Sequence, residues 1–205
     1  MFALVQDNTI TKTISGNRGI TLNDIQYPQN IFTLWSAAER EAIGIYEVVF
    51  DNTNKKDEAY YTNTNQSFAF AGGAVTASYG SATAKSLTDT LFTAQDEIDG
   101  KGTEGEVSAR GLKFQHKERI KQQAAGRLQN TDWYVVRKAD SGTAVPSAIT
   151  TYRAAVRTKS GQMETAIDNA ANVDALAALY QYVNTGTEEN PVMERPLGEF
   201  PTLES

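Results

Sequence analysis

The chain reads as an α+β protein, with a small antiparallel β module at the N-terminus, a helical module after it and an extended tail. Three observations predict this. Up to about residue 82, β-branched and aromatic runs alternate with short turn signals. Beyond Gly105, apolar residues recur at three- and four-residue spacing. From Asn184 the chain turns acidic and holds three of its five prolines. The expected organisation is a β module with one short helix over 1–82, an acidic Gly-rich linker over 83–107, a helical module over 108–183 and a tail over 184–205.

The elements follow in order. Phe2-Ala3-Leu4-Val5 and Thr9 to Ile14 are strands split by Asp7-Asn8, a turn pair. Thr21 to Pro28 reads as irregular. Asn30 to Trp35 supplies an apolar cluster, and Ser36-Ala37-Ala38-Glu39 is a capping box that opens a short helix ending near Gly44. Ile45 to Phe50 is a strand and Asp51 to Asn54 a turn. Glu58 to Thr64 and Ser67 to Ala71 continue the β pattern. Gly72-Gly73 then supplies the positive φ values of a tight hairpin into Ala74 to Tyr79. Such a sheet should bury one face under the Trp35 cluster and keep the other wet. Ser81 to Asp99 fits helix and strand equally, and Gly100 to Gly105 punctuates the chain.

In the second half, Leu112, His116, Ile120, Ala124 and Leu128 share one helical face. Thr131 is placed to cap the next element. Trp133 to Val136 have strand propensity, so pattern alone leaves that element open. Gly142 ends it, and Pro146 precedes a helix from Ser147 with Ile149, Tyr152, Ala155 and Val156 as its stripe. Gly161 breaks or bends that helix, and Asn172 caps a last one in which Leu176, Leu179 and Tyr180 face inward.

Composition narrows the function. There is no cysteine among the 205 residues, so disulfides, thiol chemistry and Cys-ligated metals are excluded. No secretory signal is evident at the start, and no apolar stretch approaches the roughly 18 residues of a membrane span. A soluble protein made in a reducing cytoplasm is the expectation. The net charge of −6 argues against general nucleic-acid binding. That average hides an asymmetry: Leu87 to Glu106 and the tail are acidic, and Arg110 to Lys138 is basic. Opposite blocks of this kind attract within a chain or between copies.

Chemical motifs are scarce. Gly100-Lys101-Gly102-Thr103-Glu104-Gly105 matches a dinucleotide fingerprint, but Asp96, Glu97 and Asp99 precede it and would repel a pyrophosphate. The same stretch approaches a calcium loop but has Gln95 where the first carboxylate belongs. His116 is the only histidine, which leaves His-based metal sites and triads without partners. No catalytic residues, cofactor or metal site are expected. Trp133, Tyr134, Arg137, Tyr152, Arg153 and Arg157 belong to the types that dominate protein interfaces. They are therefore the protein-contact candidates, with a packed core as the competing role for Trp133 and Tyr152.

The stretch Thr131-Asp132-Trp133-Tyr134-Val135-Val136-Arg137, the Val145-Pro146 turn and Tyr152-Arg153-Ala154-Ala155-Val156-Arg157 resemble the C-terminal region of tailed-bacteriophage proteins associated with tail fibres and their assembly. Phe2 to Gln6 and the segment from Phe50 to Phe70 resemble the small β module that precedes it in marine phage homologues. The resemblance implies that Trp133 to Val136 are helical. It also implies a virion structural protein of the tail that connects or anchors fibres, with tail and tail-fibre proteins as partners and a homo-oligomer as the expected state. The alternative it implies is a tail-fibre assembly chaperone that the virion does not retain. A receptor-binding or carbohydrate-active protein would need a recessed aromatic or acidic site.

Overall fold

A computed structural model describes residues 1–203 of the chain; residues 204–205 of the expected tail lie outside the described residues. The fold is α+β, and the chain forms two compact units, Met1–Thr83 and Ala84–Ser205.

In the first unit, β1 (Phe2–Gln6) and β2 (Thr9–Ile14) form a hairpin. Asp7 and Asn8 both take positive φ, the two-residue turn that matches strand twist. Asn23 and Asp24 repeat the device between β3 (Ile20–Leu22) and β4 (Ile25–Tyr27). Thr21 to Pro28, expected to be irregular, is thus largely a second hairpin. Two short helices follow, α1 (Ile31–Leu34) and α2 (Ala37–Glu41). The Ser36 capping box is complete: Glu39 N–H donates to Ser36 Oγ at 3.3 Å, and Ser36 N–H donates to Glu39 Oε2 at 2.8 Å. Gly44 stands at positive φ with Val5 N–H on its carbonyl, where a side chain would meet the Val5 carbonyl.

After β5 (Ile45–Asp51) and the two-residue β6 (Tyr61–Thr62) come β7 (Gln66–Ala71) and β8 (Ala74–Tyr79), joined at Gly72-Gly73. The main sheet has the order β2-β1-β5-β8-β7. It is mixed rather than wholly antiparallel, because β5 and β8 run parallel from Val48↔Val75 to Asp51↔Ser78. The expectation of one wet face is also corrected. Phe2, Leu4, Ile14 and Ile45 pack with Ile31 and Phe32 on one face, while Ala3, Val5, Val48, Val75 and Ala77 make a second core. The edge strands β2 and β7 approach each other. The sheet therefore curls, and Ile10, Phe68 and Phe70 close over that second core.

In the second unit, which begins within β9 (Thr83–Ala84), residues expected to be a linker are structured. β10 (Thr90–Leu91) pairs with β11 (Val107–Ala109), and α3 (Ala94–Ile98) lies between them behind its own Thr93–Asp96 capping box. Lys101 reaches Asp96 at 3.2 Å and Asp99 at 3.0 Å, so of the carboxylates in the calcium-loop pattern Asp99 is paired with a cation from the chain itself. The hydrogen bonds from Thr93 and Lys101 lower the Asp96 carboxyl to about 2.

The long helices α4 (Leu112–Gln129) and α6 (Ser147–Asn169) pack antiparallel, since Lys117 near the start of α4 meets Asp168 near the end of α6 at 2.8 Å. Leu112, His116, Ile120 and Ala124 face Ile149, Val156, Met163 and Ile167, a seam of four- and three-residue steps like that of a coiled coil. Gly161 neither breaks nor ends α6. Between these two helices in the chain comes α5 (Asp132–Ser141), and Gly142 ends it at positive φ. Asn172 caps α7 (Val173–Ala178) through the Ala175 N–H. The expected extended tail is a correction too. It carries the small ribbon β12 (Val183–Asn184) and β13 (Met193–Glu194), then buries Leu197 and Phe200.

Candidate protein-contact surface

Five of the six candidate residues divide into an inner and an outer set, and Arg157 belongs to neither. Arg153 is inner, only 8% exposed. Its Nη1 donates to the Leu128 carbonyl at 2.9 Å and to Thr131 Oγ1 at 2.6 Å, and pairs with Asp132 Oδ1 at 2.8 Å. Leu128 lies in the last turn of α4, where carbonyls lack helical partners and a cation is favourable. Arg153 thus clamps the end of α4 to the start of α5. Thr131 joins this clamp rather than capping α5: its hydroxyl donates to the Leu128 carbonyl at 2.8 Å. Tyr152 is half-buried beside it, with a weak 3.5 Å hydrogen bond to the Arg127 carbonyl.

Trp133, Tyr134 and Arg137 form the outer set, all on α5. The Trp133 and Tyr134 rings lie 3.8 Å apart at 31°. The Arg137 guanidinium sits 4.7 Å from the Trp133 ring centre and 5.4 Å from that of Tyr134, within cation–π range. Its Nε is shielded from water and finds no acceptor among the described residues. Trp133 is 51% exposed and Val136 is 65% exposed, and α5 buries none of its ten residues. Asp132 in the first turn and the Gly142 cap hold the ends of the helix despite the strand propensity of its middle. Arg157 stands apart, exposed on α6 beside a groove with Lys121, Leu128 and Glu164.

A second uncovered surface was not among the candidates. Around the β12–β13 ribbon, Tyr182, Val183, Val192 and Met193 are all exposed. The Tyr182 hydroxyl donates to Glu199 Oε1 at 2.7 Å, which raises the phenol above its usual value, and Arg195 pairs with the same carboxylate. Proline and acidic content masked these apolar residues in the sequence.

His116 is buried on α4 against Tyr180, with Nδ1 2.8 Å from the phenol oxygen. Burial lowers its pKa below the usual imidazole value, with Arg119 adding to the effect. Among the described residues, no group of three or more His, Asp or Glu is placed to hold a metal ion. No helix among them is long and apolar enough to cross a membrane. Comparison with protein-family models, with curated proteins and with solved structures finds no match to this chain.

Proposed function

We propose that the chain is a non-enzymatic protein-contact part of a bacteriophage tail that connects or anchors tail fibres. The observation that carries this reading is α5: a helix that buries nothing and displays a stacked Trp133–Tyr134–Arg137 cluster flanked by Val135 and Val136. Aromatic and arginine side chains in this arrangement bury much area at small entropic cost and act as anchors in protein interfaces. The phage assignment itself rests on the resemblance of Thr131 to Arg137 and of Tyr152 to Arg157 to tail-fibre-associated proteins. The proposed place is the virion tail, after synthesis in the bacterial host cytoplasm. The proposed partners are tail and tail-fibre proteins and further copies of the chain, with neither nucleic acid nor membrane.

A second reading is a tail-fibre assembly chaperone that leaves before the particle is complete. It is favoured by Lys138 and Asp140, which keep α5 compatible with water once a client has gone. Mass spectrometry of purified particles separates the two. Stoichiometric peptides of this chain support the structural role. Their absence, with the chain recovered on unassembled fibres, supports the chaperone. Failure of the tagged chain to retain any tail or fibre protein, from particles or from infected cells, overturns both.

A further inference from the structure

We propose that the α5 face of one copy receives the β12–β13 ribbon of a second copy, a head-to-tail contact between identical chains. The inference rests on the reading of α5 as a contact helix and names one occupant for it.

The receiving side is aromatic and carries Arg137 and Lys138 as its cations, with Asp132 held by Arg153 and Asp140 in the last turn. Arg137 lies over both rings, and a guanidinium keeps its N–H donors in its own plane, at its rim. None of the ion pairs among the described residues uses Arg137 or Lys138. A carboxylate is the group that completes such a site.

The presented side supplies carboxylates beside aliphatic surface. From Val183 to Glu194 the chain carries Glu188, Glu189 and Glu194 and neither lysine nor arginine. Glu188 and Glu189 make no ion pair among the described residues. Val183, Val192 and Met193 are 46%, 48% and 56% exposed. Within one copy both surfaces stay open to water, so neither covers the other. Two different patches that complement each other between identical chains make a heterologous contact, which repeats into a ring or a filament.

The test is sedimentation equilibrium of the full chain across a concentration series. The wild type is expected to exceed its 22.4 kDa monomer mass as concentration rises. Two variants reverse one side each: Arg137→Glu with Lys138→Glu, and Glu188→Lys with Glu189→Lys. Lys138, Glu188 and Glu189 are exposed and Arg137 is half-buried, and circular dichroism equal to wild type checks the fold of each variant. Each variant alone is expected to associate at least ~10-fold more weakly, since like charges then face each other. Mixing the two restores association, because each reversed surface finds its opposite. A wild type that stays monomeric up to about 100 µM, a range that tests weak contacts, overturns the proposal. So does association that survives both variants, or that fails to return on mixing. If the chain is monomeric yet Trp133→Ala still abolishes retention of tail or fibre proteins, the self-contact fails and the contact-helix reading stands.

Discussion

Helices α5 and α6 share a unit and a clamp but do opposite work. α6 buries Ile149, Arg153, Val156, Ser160, Met163 and Ile167 along one side, and α5 buries nothing. Both contain arginine and aromatic residues of the kind that dominate interfaces, so residue type alone does not separate them. Spacing does. Ile149, Arg153, Val156 and Ser160 fall on one seam by four- and three-residue steps, which draws Arg153 inward with the aliphatics on either side. In α5 the apolar residues Trp133, Val135 and Val136 do not converge on one narrow stripe, and the short helix has no partner to cover them. An arginine is thus a strut when its helix position is internal and its head meets carbonyls, and, on the proposed function, an anchor when it lies on half-exposed rings.

The largest expected effect comes from breaking the α6 seam. Ile167 is fully buried, and Ile167→Ala leaves a cavity that should cost about 4 kcal/mol, read as a lower midpoint in urea unfolding. A loss below about 1 kcal/mol would mean that the α4–α6 seam is not the core of its unit.

The joint between the two helices comes next. Arg153→Ala removes the cation bound to Leu128, Thr131 and Asp132, while the Leu128 carbonyl keeps its Thr131 donors and Asp132 stays exposed to water. The expected destabilisation is about 2 kcal/mol, the scale of hydrogen bonds to a charged group, with early loss of hydrogen-exchange protection at the start of α5. Protection in α5 that outlasts that of α4 would show that the clamp does not hold the helix.

Much of this division was visible in the sequence. The α4 stripe, the Gly142 stop, Pro146 ahead of α6 and the Asn172 cap are local signals, and each lies where the spacing puts it. So are the Asp7-Asn8 and Gly72-Gly73 turns and the Ser36 capping box. Long-range pairing was not visible. β5 and β8 run parallel because the intervening chain, including β7, crosses before β8 is laid down, and no residue type in Val48 to Asp51 encodes direction. The curl that covers Val5 and Val75 depends on the meeting of β2 and β7, again a property of the whole sheet. In the candidate set, the cluster of α5 was legible as residue types and Tyr152 as part of the α6 stripe, whereas the inward turn of Arg153 was not. The role of Thr131 was misread because a hydroxyl before a helix usually caps it, whereas here the buried Arg153 offers a stronger, charged donor. The burial of Leu197 and Phe200 escaped notice because acids and prolines dominate their surroundings.

A third test asks whether α5 contributes to the fold at all. Trp133→Ala removes a half-exposed ring and should change unfolding stability by no more than about 0.5 kcal/mol. The same substitution should cost about 2 kcal/mol or more in binding, roughly 30-fold in affinity, to whichever surface α5 meets. Destabilisation beyond 1 kcal/mol would erase the contrast with α6 by making Trp133 part of the folded core.

The smallest effect lies on the outer side of α6. Gly161 sits mid-helix with ordinary helical backbone, and a Cβ built there meets open space. Glycine in a helix interior is less favourable than alanine by about 0.8–1 kcal/mol, because the unfolded glycine backbone has more freedom to lose. Gly161→Ala should therefore raise stability by up to about 1 kcal/mol in the isolated chain. Gly161 also lines the groove beside Arg157, so the substitution separates two roles for this side of the helix. Increased stability with unchanged retention of tail or fibre proteins confines contact to α5 and the ribbon. Increased stability with weakened retention adds the outer side of α6 to the contact surface, and the division between a packing helix and a contact helix then runs along the length of α6 itself.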